Sequence, residues 1–256
     1  MIRSGNPALN DGVFTASIGT ASIGANRSQT MTLTGVSSKS GILLLLLLFA
    51  ASYPWSIYFN DPSNPAAVMP YLLGGAIGSL IVALITVFKK NIAMFTAPIY
   101  ALLEGLFIGA ASAVVQGQFP DVPIVLQAAG LTFLTFGALL FCYVTRLIKP
   151  TRNLLLGIAA ATGGIMMVYL CTIVLSLFGI QMPFIHDTGP IGIGISLVIT
   201  VVAALNLVMD FDFIERGVES GAPKYMEWYA AFGLLVTLAW LYIEMLRLLA
   251  KLNSRR

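Results

Sequence analysis

Few charged residues, one histidine and two cysteines are present in this sequence, and each scarcity excludes a class of protein. Only 10% of its 256 residues are charged, whereas soluble domains carry about 25%, so a soluble enzyme could not cover its surface. The single histidine, His186, excludes zinc motifs that need several. Cys142 and Cys171 both lie inside apolar runs and offer no disulfide framework. The net charge of +3 is too small and too scattered for a nucleic-acid-binding face.

Apolar residues make up 58% of the chain and are gathered into seven long runs. A helix needs roughly 20 mostly apolar residues to cross a bilayer, and each run is about that length. Because the bilayer core holds no water to satisfy backbone groups, such runs must be helical. The sequence therefore predicts an all-α protein with seven transmembrane helices in a lipid bilayer. The predicted spans are 41–59, 69–88, 92–115, 123–147, 153–179, 191–213 and 228–250.

The segments at the two ends differ from this membrane domain, which we assign to residues 41–250. Residues 1–40 are rich in Ser, Thr, Gly and Asn and lack helical periodicity, which predicts a largely disordered tail. The first run starts at Gly41 with no small-residue cleavage site before it, so we expect a span rather than a signal peptide. Residues 251–256 form a short basic tail.

Basic residues in the tail and loops predict the orientation of the helices. Ten of them lie in the N-terminal tail and in the second–third, fourth–fifth and sixth–seventh loops, and the intervening loops contain none. The N-terminus is therefore expected in the cytoplasm. Four further basic residues, two of them Arg247 and Lys251, cluster at the C-terminus, which seven crossings would place outside. We favour a full final crossing, with a re-entrant last segment as the alternative.

Four acidic residues fall inside the apolar runs: Glu104, Asp210, Asp212 and Glu244. A carboxylate deep in a membrane helix costs about 2.5–3.5 kcal/mol, which disfavours chance placement. Since no Lys or Arg lies mid-run, we expect these groups to share protons, bind cations or face water. Asp212 lies near the end of its run, where contact with water explains it equally well. Two carboxyls held close together in a low dielectric cannot both ionise easily, so such a pair can respond to pH.

Two pairs of glycines four residues apart predict close helix packing. They are Gly74 with Gly78 and Gly105 with Gly109. Small faces of this kind let two membrane helices approach each other. We expect packing within the chain rather than dimerisation.

The end of the chain resembles the Bax inhibitor-1 family of membrane proteins, in its bacterial branch. Residues 204–214, Ala-Leu-Asn-Leu-Val-Met-Asp-Phe-Asp-Phe-Ile, look like the sixth helix of that family, and residues 241–249 look like the seventh. Glu104-Gly105-Leu106 resembles an acidic position of its third helix. The resemblance covers roughly residues 31–250. It implies two three-helix layers around a central seventh helix, in a bacterial inner membrane.

The resemblance also implies a pH-sensitive calcium leak channel, with Asp210 and Glu244 as its proton-sharing sensor and gate. Glu244 departs from the family, which usually has aspartate there, and a basic residue that relatives place in the second helix has no counterpart in 69–88. In straight antiparallel helices the two carboxylates would lie about 20 Å apart. Contact would need a later start of the seventh helix, an inserted helical segment or a re-entrant hairpin. Glu227, at the start of the seventh span, is the geometric alternative.

The expected function is a cation leak in which Ca²⁺ binds transiently at Asp210 and Glu244, with Glu104, Asp212 and Glu227 as further pore or cation sites. Carboxylate and carbonyl oxygens suit this hard cation, and we expect no cofactor. Alternatives are a secondary transporter coupled to protons or cations, and a non-conducting stress regulator that binds other membrane proteins. An intramembrane aspartyl protease is disfavoured because its Tyr-Asp and Gly-x-Gly-Asp signatures are absent.

Overall fold

A computed structural model describes residues 30–179 and 189–254, which form seven helices long and apolar enough to cross a membrane. The helices are α1 (Leu33–Asn60), α2 (Met69–Phe88), α3 (Ala93–Gln118), α4 (Ile124–Val144), α5 (Arg152–Leu177), α6 (Pro190–Glu219) and α7 (Met226–Asn253). The all-α class and the seven predicted spans are confirmed. The predicted disordered tail before residue 30, the loop around His186, and residues 255–256 lie outside the described residues.

The first helix begins at Leu33, eight residues before the predicted start at Gly41. Thr32 caps it, because its hydroxyl oxygen accepts a hydrogen bond from the Gly35 amide at 3.0 Å. The segment just before the helix is fixed to the α6–α7 connection, where the Met31 amide donates to the Ala222 carbonyl at 2.7 Å. The sequence pattern predicts a tail here, because the contacts that order the polar first turns of α1 are made with a residue about 190 positions away.

The seventh helix occupies the centre of the bundle. In the first three-helix group α3 packs against both α1 and α2, and in the second α6 packs against both α4 and α5. The seventh helix contacts α1, α3, α4 and α6, and its large side chains, such as Tyr229, Phe232 and Leu241, are buried. The predicted arrangement of two three-helix layers around a central helix is therefore confirmed.

An unbroken α7 excludes a re-entrant hairpin within residues 226–253. Its 28 residues give a length of about 42 Å at 1.5 Å per residue, enough for a full crossing. Near its end the Lys251 ammonium donates to the Gly192 carbonyl at 3.0 Å and to the Ser196 hydroxyl at 2.8 Å, close to the start of α6. The C-terminal end of α7 thus lies at the opposite end of the bundle from the α6–α7 connection. We call the end that holds this connection and the start of α1 the basic end.

A cysteine at position 254 is expected to react from outside the membrane. With Cys142 and Cys171 replaced by serine, Ser254→Cys should be labelled by a membrane-impermeant maleimide in intact cells, because α7 crosses completely and the basic loops predict a cytoplasmic basic end. Ser220→Cys, exposed in the α6–α7 connection, is the control and should react only after the membrane is permeabilised. Labelling of both sites in the same compartment would contradict the full crossing.

The glycine pair of α3 lies directly against the backbone of α1 in the first group. A Cβ at Gly105 would lie 2.3 Å from the Leu47 carbonyl oxygen, and one at Gly109 would lie 2.2 Å from the Ala51 carbonyl oxygen. Both glycines therefore face the α1 backbone, as the spacing predicts for packing within the chain. The other pair differs, since a Cβ at Gly74 would meet nothing within 4 Å.

Candidate functional site

Three enclosed carboxylates, two on α7 and one on the facing helix α6, lie at different depths in the bundle. Glu227 and Asp210 are 0% exposed and Glu244 is 1% exposed. The contacts of Lys251 place it level with about residue 194 of the antiparallel α6. About sixteen residues back along α7, near position 235, the facing residue of α6 is therefore Asp210. At 1.5 Å per residue, Glu227 lies about 12 Å from the level of Asp210 towards the basic end. Glu244 lies about 14 Å from the level of Asp210 in the opposite direction.

Glu227 joins the start of α7 to the start of α1 at the basic end. Its Oε1 accepts hydrogen bonds from both the amide and the hydroxyl of Thr32, each at 3.0 Å, and its Oε2 forms an ion pair with Lys39. The ammonium of Lys224 lies 3.8 Å from Oε1. A Cβ at Gly35 would lie 2.1 Å from the same oxygen, so the glycine makes room for the carboxylate. We call this cluster the basic-end clamp.

Asp210 and Asp212 lie two residues apart on α6, in different surroundings. Asp210 is enclosed in the middle of the bundle, whereas Asp212 forms an ion pair of 2.6 Å with Arg216, one turn further along its own helix. The helix continues to Glu219, six residues beyond the predicted end of the span. It ends at a connection in which Gly221 adopts φ +68°.

Glu244 lies on the side of Asp210 away from the basic end, where side chains of α5 and of α7 itself bind it. The Tyr169 hydroxyl donates to its Oε1 at 2.8 Å, and the Arg247 guanidinium lies 3.0 Å from the same oxygen. Arg247 also donates to the Tyr169 hydroxyl and lies over its ring. The expectation that the carboxylates within the runs lack basic partners is therefore wrong for Glu244 and Asp212. Each pairs with an arginine three or four residues later in its own helix.

The structure does not bring Asp210 and Glu244 together, because the register of α6 and α7 separates them by about 14 Å along the axis. The continuous α7, which starts at Met226, supplies neither the late start nor the hairpin. The helical continuation of α6 to Glu219 shortens the separation expected for straight helices from about 20 Å to about 14 Å but does not close it. Glu227 is also held away from Asp210, in the basic-end clamp. The remaining candidate, Glu104, is half-buried in α3 beside Ser79 and Tyr100.

A further polar cluster at the basic end was missed at the level of sequence. Glu215, two residues beyond the predicted end of the sixth span, accepts a hydrogen bond from the Tyr143 hydroxyl. Arg146 donates to both of its carboxylate oxygens, at 2.5 and 3.2 Å. These contacts join the ends of α4 and α6. Their partners are about 70 residues apart, so no local spacing signals them, whereas the i,i+3 spacing of Glu244 and Arg247 could have been found.

The arrangement suits transient contact with a cation better than a fixed metal site. Within residues 30–179 and 189–254, no three His, Cys, Asp or Glu side chains come together as a ligand set. A calcium ion in a fixed site takes six to eight oxygen ligands. An ion moving along α7 would instead meet the carboxylates one at a time, at successive depths.

Comparison with known proteins identifies one family. The chain matches the family described as Bax inhibitor 1 like over residues 7–254, which is nearly its whole length. No curated protein and no solved structure matches the chain.

Proposed function

Because the chain belongs to the Bax inhibitor 1 like family, we propose that this multi-pass membrane protein is a proton-sensitive cation leak channel with Ca²⁺ as the permeant ion. The observation that carries the proposal is the set of three enclosed carboxylates at three depths in the bundle. Ionisable groups within a membrane bundle mark ion pathways and proton relays. The ten basic residues of the N-terminal tail and alternate loops support a cytoplasmic basic end, and a bacterial inner membrane is part of the proposal.

The carboxylates at the two outer levels, Glu227 and Glu244, are bound to protein partners in this conformation. Glu227 is satisfied by Thr32 and Lys39, and Glu244 by Tyr169 and Arg247, so neither carboxylate is open to a passing ion. Opening requires that both sets of contacts exchange their partners for water and cation. Glu104 and Asp212 supply further oxygen ligands beside this route.

Asp210 is the proton-sensitive group of the proposal. A protonated, neutral Asp210 is compatible with its enclosure in the centre of the bundle, because an ionised carboxylate there costs several kcal/mol. Deprotonation would place a negative charge in the core, which favours entry of water and Ca²⁺. Calcium flux should therefore rise as the pH rises through the titration of this group, with Glu244 as the second carboxylate that the ion meets.

Replacing Asp210 with asparagine is expected to remove the pH dependence of calcium flux. In proteoliposomes loaded with a calcium indicator, Asp210→Asn should lower the flux at high pH about tenfold, the equivalent of roughly 1.4 kcal/mol. Glu244→Gln should lower the flux while leaving its pH dependence in place. Glu219→Gln, on the exposed end of the same helix as Asp210, is the matched control and should behave as wild type.

Two results would contradict the proposal. An unchanged flux and pH profile in Asp210→Asn would show that this carboxylate is not the sensor. A wild-type protein that carries no calcium at any pH would instead favour a non-conducting regulator of other membrane proteins.

A secondary transporter is the second candidate, and the two three-helix groups around α7 favour it. Glu104 in α3 and Asp210 in α6 belong to the corresponding third helices of these groups. Transporters built from repeats place coupling-ion sites at the interface of the two halves. Calcium or proton flux that accelerates with an imposed solute gradient would support transport, whereas flux independent of every solute would support the leak.

A further inference from the structure

A long groove separates α1 from α4 and has α7 as its floor. It consists of a cavity of about 630 Å³ at the basic end and one of about 310 Å³ further along the helices. The two share four residues in their walls, Leu44, Phe133, Leu235 and Leu238. Leu140 and Val144 of α4 line the first cavity and are exposed at the surface of the bundle. The groove therefore opens towards the lipid.

The first cavity changes from apolar to polar towards the basic end. Leucine and phenylalanine side chains line most of its wall, whereas Ser37, Ser40, Arg146 and Glu215, which is paired with Arg146, line the part nearer the basic end. The Ser40 hydroxyl oxygen is buried and has no hydrogen-bond partner among residues 30–179 and 189–254. This gradient matches an amphipathic ligand whose polar group lies at the membrane surface.

The mouth of the cavity suits an anionic group. Arg146 is 57% exposed and uses two of its five N–H donors on Glu215, which leaves three for a ligand. The connection from α4 to the start of α5 also carries Lys149 and Arg152 and contains no acidic residue. An arginine with free donors binds the oxygens of a phosphate particularly well.

The first cavity runs along α1 from the polar first turns of the helix into its apolar part. Along α1 its lining runs from Leu33 to Leu44, about 16 Å at 1.5 Å per residue. The hydrocarbon core of a bilayer is about 30 Å thick. A single acyl chain from the leaflet at the basic end would therefore reach from the mouth to the level of Phe133.

We propose that this groove is a binding site for one anionic phospholipid of the leaflet at the basic end. Its phosphate is bound by Arg146, its ester region accepts a hydrogen bond from Ser40, and one acyl chain fills the space between α1 and α4. The site is separate from the carboxylates along α7 and does not depend on the proposed ion flux.

Filling the groove with an aromatic ring should displace the lipid. Gly41 lines the first cavity, and a Cβ there would meet nothing within 4 Å, so Gly41→Phe places its ring in the groove without a backbone clash. The full-length protein is taken from nanodiscs of equal phosphatidylglycerol and phosphatidylcholine, and retained lipids are counted by native mass spectrometry. Wild type should retain one phosphatidylglycerol, and Gly41→Phe should retain it about tenfold less.

Gly164→Phe provides the matched control. Gly164 lines the cavity of about 520 Å³ between α5 and α6, whose lining contains no charged side chain, and a Cβ there also meets nothing within 4 Å. This variant should retain the lipid as wild type does. Equal loss in both phenylalanine variants, or equal retention in Gly41→Phe and wild type, would overturn the proposal.

Arg146→Gln tests the headgroup separately and leaves the apolar walls intact. The preference for phosphatidylglycerol over phosphatidylcholine should disappear, because the cation that binds the phosphate is gone. A preference that survives this substitution would overturn the assigned role of Arg146, even if Gly41→Phe failed to fold.

Discussion

Replacing Gly109 with alanine is expected to lower the free energy of unfolding by about 1–3 kcal/mol, the usual cost of overpacking. The added Cβ would lie 2.2 Å from the Ala51 carbonyl oxygen and 2.6 Å from the Ala51 Cα. Both are backbone atoms, so no side chain can rotate away and α1 must separate from α3. The loss can be measured as a shift in the SDS concentration at which the protein unfolds in mixed micelles.

Gly74→Ala is the control for this effect, because a Cβ there meets nothing within 4 Å. Alanine favours helix over glycine by about 1 kcal/mol, so this variant should be as stable as wild type or slightly more stable. Gly105→Ala should resemble Gly109→Ala, since its Cβ would lie 2.3 Å from the Leu47 carbonyl oxygen. Equal unfolding midpoints for Gly109→Ala and Gly74→Ala would show that the α1–α3 contact is not tight.

Replacing Glu227 with alanine is expected to lower the free energy of unfolding by about 3 kcal/mol, as when one partner of a buried ion pair is removed. The substitution leaves the ammonium of Lys39 without its counter-charge and the amide and hydroxyl of Thr32 without their acceptor. The start of α1 should then separate from α7. Faster proteolysis around residues 30–39 would report this opening locally, alongside the shift in the unfolding midpoint.

A double-mutant cycle separates the ion pair from the other contacts of Glu227. Lys39→Met combined with Glu227→Met should be more stable than the sum of the two single effects predicts, because no buried charge is left unpaired. Glu219→Ala, in an exposed position, should leave stability unchanged. Strict additivity in the cycle would argue against a direct interaction between Lys39 and Glu227.

The fold could be predicted from the sequence because a bilayer leaves so few choices. Long apolar runs must be helices, and their lengths set the spans to within a few residues at most ends. The exceptions are the ends where polar residues continue a helix. The first turns of α1 and the last turns of α6 contain Ser, Lys, Arg and Glu, and only tertiary contacts or ion pairs within the helix keep them helical.

The candidate site could be predicted only in part. The positions of Asp210 and Glu244 within apolar runs were evident, and the pairing of Glu244 with Arg247 follows from helical spacing. The contacts of Glu227 with Thr32 and Lys39 could not be derived, because the partners lie almost at opposite ends of the chain. The register of α6 against α7, which sets the depths of the carboxylates, depends on packing that no local pattern encodes.

The central helix is also the last part of the fold to leave the ribosome. Both three-helix groups are synthesised before α7 exists, so each must enter the membrane with the face that will contact it still covered by lipid or by the insertion machinery. Lys39 is translated 188 residues before its partner Glu227. The ion pair between them cannot form until the start of α7 has been synthesised. The contacts of α7 with both halves can therefore form only after the other six helices have been synthesised.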